Sequence, residues 1–334
     1  MKFNLKNFTI KSKLFGIIAV VAFVMLINTI QTIVETKDAT IKLHKLEDLT
    51  KLSAKISLLL HETQKERGAS AGFIGSHGKK FIKILPKQRT LTDKRLREFK
   101  QTLTSINLNE FNPDLRHRIQ IALNALSKLN EIRRGVSNLK LPLKDVVGYY
   151  TSTNAKLLKI VEVATNLAPS ARLTKSLNSY TNFLKSKERA GVERAVLSGT
   201  FAANEWKSGF YAKFITLLAE QKAYLDASMA TATPYIKNFY KNTMNSPIVT
   251  EVKKMEQIAK THMNGNFGID SVYWFKTITK KINLLKKIDD EMSKYNFTLL
   301  KEIENDIYKN LYINIGILFI FIFFMFIPLF LLQK

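Results

Sequence analysis

Two long, uncharged, apolar runs frame this chain and constrain it more than any other feature. Leu14–Val34 reads LFGIIAVVAFVMLINTIQTIV, and Tyr312–Leu332 reads YINIGILFIFIFFMFIPLFLL. Each is about 20 residues long, enough for a helix to span the hydrocarbon core of a bilayer. The first lacks the short apolar core and small-residue cleavage site of a secretory signal, so both are expected to be retained transmembrane helices. Lys2, Lys6, Lys11 and Lys13 precede the first run, which predicts a cytoplasmic N-terminus. The expected plan is a cytoplasmic stub (1–13), a span (14–34), an extracytoplasmic domain (35–311), a second span (312–332) and a cytoplasmic end (333–334). It describes a two-pass inner-membrane protein with a large periplasmic domain, a homodimer by its architecture, whose output module is not in the sequence.

Between the runs the pattern is helical. Apolar residues recur at helical spacing and are interrupted only by short Pro, Asn and Gly signals, with no alternating strand pattern. A first helix is expected through Leu46, Leu49, Leu52, Ile56 and Leu60 to about Ile74, where Gly75-Ser76-His77-Gly78 ends it. Further helices are expected from about Lys87 to Ser105, from Asn112-Pro113-Asp114, and from Leu141-Pro142-Leu143 to about Asn166. These are expected to make one four-helix bundle. After Ala168-Pro169-Ser170, a second half (168–311) has helices carrying Leu173 to Ser198, Glu205 to Met229, a segment from Thr233-Pro234, and a last one from about Asp270.

Charge and composition narrow the chemistry. The formal net charge is +25, but only 11 of the 52 basic residues are arginine. Dispersed lysines on helix faces read as a solvated surface that attracts small anions. No cysteine is present, which excludes disulfides and thiolate metal sites. The histidines, His44, His61, His77, His117 and His262, show no metal-ligand spacing. There is no Gly-rich phosphate loop and no Gly-x-Ser-x-Gly, so no enzyme, metal or cofactor is expected. Nor is nucleic acid, because the flanking runs place the basic charge outside the cytoplasm.

One arginine stands out. With Ile56 as reference and about 100° per residue, Arg67 falls only about 20° from the apolar stripe of the first helix. A guanidinium on a buried face is costly unless an anion or carboxylate neutralises it. Downstream, Glu193-Arg194 repeats Glu66-Arg67 at an offset of 127, with Gly199 matching Gly72. Arg194 lies about 80° from Leu184, at the stripe's edge, whereas Arg189 lies about 140° away.

Gln64-Lys65-Glu66-Arg67-Gly68-Ala69-Ser70-Ala71-Gly72-Phe73 and Lys187-Glu188-Arg189-Ala190-Gly191-Val192-Glu193-Arg194-Ala195-Val196-Leu197 resemble the two signatures of the NIT domain, the nitrate- and nitrite-sensing family of bacterial receptors and antiterminators. Gln88-Arg89-Thr90, Thr92-Asp93 and Tyr273-Trp274-Phe275 with Thr277 are similar to supporting elements. The resemblance implies an all-α fold of two stacked four-helix bundles, here between two transmembrane helices, and a ligand site near the arginines of both halves. Arg67 and Arg194 are the expected ligand-binding residues, with Arg189 behind them. Glu66 and Glu193 are expected to hold them when the site is empty, with Ser70 in support. No arginine follows Arg194, so if the family site draws a further arginine from the later helices, either a lysine substitutes for it here or the ligand differs. The function expected is the sensory input of a transmembrane receptor, with chemotaxis as its output and an unknown cytoplasmic partner. The competing reading is a ligand-free helical membrane scaffold or protein-interaction domain.

Overall fold

A computed structural model of the chain describes residues 9–331 apart from 167 and 169. Lys2 and Lys6 of the stub, Pro169 of the break between halves, and the end at 333–334 lie outside the described residues. The described residues are all-α, with no strand among them. In chain order the helices are α1 (Ile10–Gly75), α2 (Ile84–Ser105), α3 (Pro113–Ser127), α4 (Leu129–Ser137), α5 (Leu143–Asn166), α6 (Ala171–Ala203), α7 (Phe210–Thr231), α8 (Pro234–Met244), α9 (Pro247–Thr261) and α10 (Ser271–Leu331). The chain divides into two compact units, residues 45–298 and residues 1–44 with 299–334.

Local chemistry sets the helix ends of the larger unit. Asn112 accepts a hydrogen bond from Leu115 N at 2.9 Å, with Pro113 opening α3. Thr233 caps Ile236 N ahead of Pro234 in the same way. Both are side-chain oxygens satisfying orphan donors, with proline where its missing N–H costs nothing. Two expected boundaries shift. The third helix breaks into α3 and α4 at Lys128, and the helix expected from Glu205 begins only at Phe210, after Gly209 at φ +76°.

The core of this unit follows the stripe predicted for α1, joined by apolar residues of α6 and α10. Leu46, Leu49, Leu52, Ile56 and Leu60 of α1 are buried, as are Leu173, Leu177 and Leu184 of α6 and Trp274, Ile278, Ile282 and Ile288 of α10. Helix α5 packs on α3 and α6, and α6 on α7. Contacts between α1 and α6 climb both helices together, from Gln64–Glu188 to Gly75–Gly199, so these two helices run parallel.

The smaller unit takes its helical residues from α1 and α10. Its large apolar side chains, among them Phe15, Phe23, Phe319 and Phe323, are exposed. Both helices contain stretches long and apolar enough to cross a membrane, by length and composition only.

Candidate functional site

Glycine brings α1 and α6 close. A Cβ on Gly68 would lie 3.1 Å from Arg194 Nε and 3.0 Å from Phe275 Cε2, and one on Gly191 would lie 2.9 Å from Arg67 Nη2. The absent side chains leave room that the two arginines occupy. Both Arg67 and Arg194 are completely buried.

The guanidiniums are held alike. Arg67 Nη1 donates to Thr151 Oγ1 at 3.1 Å and to Glu188 Oε1 at 2.5 Å. Arg194 Nη1 donates to Thr279 Oγ1 at 3.0 Å, and its guanidinium carbon stands 5.4 Å from the centre of the Phe275 ring. In each arginine Nε and Nη2 have no hydrogen-bond partner. These two atoms form one edge of a guanidinium, the fork that grips a planar oxyanion through two parallel bonds. Two such edges, buried and bare, are a costly arrangement in a folded protein.

The electrostatics agree with the geometry. Burial, and next the charge of Arg67, depress Arg194 from its ordinary value to about 9. His61, also buried, is held far below its usual range by burial and by Lys187, Lys65 and Arg194, which leaves it neutral. Around Glu188 the remaining donors are Gln64 Nε2 at 2.6 Å and Asn154 Nδ2 at 3.2 Å. The two arginines and Glu188 together carry a formal charge of +1.

The other expected residues go elsewhere. Glu66 is buried but clasped by Arg133, whose Nε and Nη2 reach its two oxygens at 2.7 and 2.8 Å, with Tyr150 Oη at 2.7 Å. Glu193 accepts from Gln221 Nε2 at 2.9 Å, while its other oxygen is unpartnered. Burial and then the neighbouring Glu256 push its carboxyl up to about 8. Neither carboxylate holds Arg67 or Arg194; Glu188 holds Arg67. Arg189 turns outward onto Glu220 at 2.6 Å and the Tyr224 ring. Ser70 is buried with an unpartnered hydroxyl. Lys187, the buried lysine that opens the second signature, is bonded to Asp289, which also receives Ser57 and Tyr180. Glu188, Thr151 and Thr279 escaped the sequence reading. Glu188 lay inside the second signature, and its acidic character beside two expected arginines was the available signal.

The chain belongs to the NIT family, described as nitrate and nitrite sensing, whose match covers residues 58–294. A curated relative, the nitrate regulatory protein of Klebsiella oxytoca, is 23% identical over 250 residues, covering 75% of this chain and 62% of the relative. The chain therefore spans about three fifths of that relative's length. Among solved structures, that of the NasR transcription antiterminator superposes with a TM-score of 0.72 at 20% identity, covering 88% of this chain and 81% of the other. This likeness concerns the fold.

These findings correct the receptor reading. The named relatives are a nitrate regulatory protein and a transcription antiterminator, regulatory proteins rather than enzymes or chemoreceptors. The chemotaxis output, the transmembrane receptor role, the two-pass inner-membrane placement with a periplasmic domain, and the exclusion of nucleic acid are all overturned. The physical reason is that length and apolarity alone do not distinguish a membrane span from other apolar helices. The exclusion of nucleic acid rested on that placement and falls with it.

Proposed function

We propose that the buried arginine pair binds nitrate or nitrite, and that this chain is the anion-sensing part of a nitrate-responsive regulatory protein. The observation that carries the reading is the bare Nε/Nη2 edge on each of two buried guanidiniums. A planar, weakly hydrated anion with oxygens about its rim suits two forks better than it suits lysine. A net site charge of +1 favours a monovalent guest over a divalent one. The family description supports the same ligand class.

Binding would relieve the repulsion between the arginines and favour the conformation in which α1 and α6 lie closest at Gly68 and Gly191, a population shift driven by differential contact. In this proposal the sensor spans 35–311, with halves 35–167 and 168–311 as two stacked four-helix bundles. Helix α3 packs on α5 within the first half and α6 on α7 within the second, while the packing of α5 on α6 joins the two halves. The Arg67–Glu188 pair favours a ligand-free scaffold as a second reading, but Arg194 makes no ion pair among the described residues. A thermal-shift panel on the full chain separates the two: nitrate and nitrite raise the melting temperature and sulfate does not if the site is a receptor, and no oxyanion moves it if the chain is a scaffold.

A further inference from the structure

A fully enclosed anion site needs an entrance, and a basic cleft stands at one end of α1 and α6. It has a volume of about 610 Å³ and is lined where α1 ends (Ile74, His77, Lys79), where α5 begins (Lys144), at the last residue of α6 (Ala203) and beyond it (Ser208). Lys80 and Lys207 also line it but are spoken for by Asp270 and Glu205. Lys79 and Lys144 are exposed and make no ion pair among the described residues. The cleft does not lie on the arginines; Ile74 is seven residues beyond Arg67, about 10 Å along the helix.

Hydroxyls occupy the intervening layer. Ser70 is about one turn beyond Arg67 toward the cleft, and Ser198 is about one turn beyond Arg194 in the same direction. Ser271, on antiparallel α10, is one turn from Phe275 on that same side. All three are completely buried, and none of their hydroxyls has a hydrogen-bond partner. Buried polar groups left unpaired in one layer call for an explanation. Rotatable hydroxyls can donate to a passing anion as it sheds water.

We propose that this cleft is the port through which the anion reaches the arginine pair, with Lys79 and Lys144 drawing it in and Ser70, Ser198 and Ser271 passing it inward. The proposal rests on the arginine pair being the anion site. A lysine-lined mouth raises the local anion concentration and the association rate, an effect that salt screens.

The test is stopped-flow nitrate binding to the full chain, followed by tryptophan fluorescence; buried Trp274 donates to the carbonyl of Arg194 at 3.2 Å and so reports on the site. The Lys79→Glu, Lys144→Glu double variant, both positions exposed, is expected to lose about tenfold or more in association rate at low ionic strength. Its dissociation rate stays unchanged, and the loss shrinks as salt is added. Ser208→Phe, a bulky side chain at the exposed rim, is expected to slow association and dissociation by a common factor with the affinity unchanged, the signature of an obstructed route. Nitrate binding at unaltered rates in both variants overturns the port while leaving the arginine site standing. No nitrate binding by the unaltered chain overturns both.

Discussion

Arg67 and Arg194 are mirror partners in their bonding: each gives its Nη1 to a threonine hydroxyl, Thr151 or Thr279, and each keeps its Nε/Nη2 edge empty. The difference is the counter-charge. Arg67 is ion-paired with Glu188, whereas Arg194 makes no ion pair among the described residues and lies against the face of Phe275. Arg194 is therefore the more strained of the two, and its depression to about 9 by burial and by Arg67 expresses that.

Replacing Arg194 should separate stability from binding. Arg194→Met fills the same space without a desolvated charge, and such exchanges of buried ions stabilise by about 1–4 kcal/mol. The variant is expected to melt higher than the unaltered chain without anion, and to show no nitrate-dependent rise. The pH dependence has a definite sign. A base whose folded pKa is depressed to about 9 binds fewer protons folded than unfolded from about pH 9 up to its ordinary range. The Arg194 penalty is thus complete below pH 9 and fades above it. The stability gap between variant and parent should narrow as pH rises beyond 9, as denaturant titrations at several pH values will show.

Gly68→Ala tests the close approach. The new methyl would press Arg194 Nε at 3.1 Å and Phe275 at 3.0 Å. Helix propensity alone favours the change by about 1 kcal/mol, so the fold should tolerate it. Nitrate affinity is expected to fall about tenfold or more, measured by calorimetry, because the methyl shifts one of the two forks.

Glu188→Gln removes the carboxylate at Arg67 and raises the site charge from +1 to +2. Leaving a buried charge unpaired costs about 3–5 kcal/mol, so the variant should melt lower without ligand. Its gain in melting temperature on adding nitrate should exceed that of the parent, and sulfate should now bind. Differential scanning fluorimetry with the two salts reads both effects.

Glu193 supplies a pH signature away from the ligand. A carboxyl pushed up to about 8 by burial and Glu256 keeps its proton in the fold where the unfolded chain has lost it. Its contribution to stability is complete below about pH 4.5 and is lost as pH rises to 8. Glu193→Gln should abolish that loss, making the variant more stable than the parent near pH 8 by a few kcal/mol, on the order visible in urea titrations.

The sequence made the helices and the two buried arginines legible for the same reason: apolar periodicity places both, and a guanidinium on or beside an apolar stripe has to be explained. Arg67 is buried where its place near the stripe put it, and Arg194, which its spacing put only at a stripe's edge, is buried as completely. What periodicity could not assign was pairing across helices. Glu66 is nearest to Arg67 in the chain, but the helix turns it toward α4, where Arg133 takes it. Glu188 reaches Arg67 from α6, a contact set by helix packing and not by chain neighbours. Thr151 and Thr279 carry no signal of their own, since a threonine in a helix commonly bonds its own backbone, as Thr151 does to Val147. The apolar runs were equally plain, but what they border was not, because the exposed helices of the smaller unit meet a test of length and composition that several kinds of protein pass.

The most direct measurement is isothermal titration of nitrate into the purified full chain and into its Arg67→Met and Arg194→Met variants. The account predicts one nitrate bound per chain in the parent and no detectable heat in either variant, each of which retains its helical circular dichroism. Unchanged nitrate binding after Arg194→Met, or no nitrate binding by the parent, would contradict it.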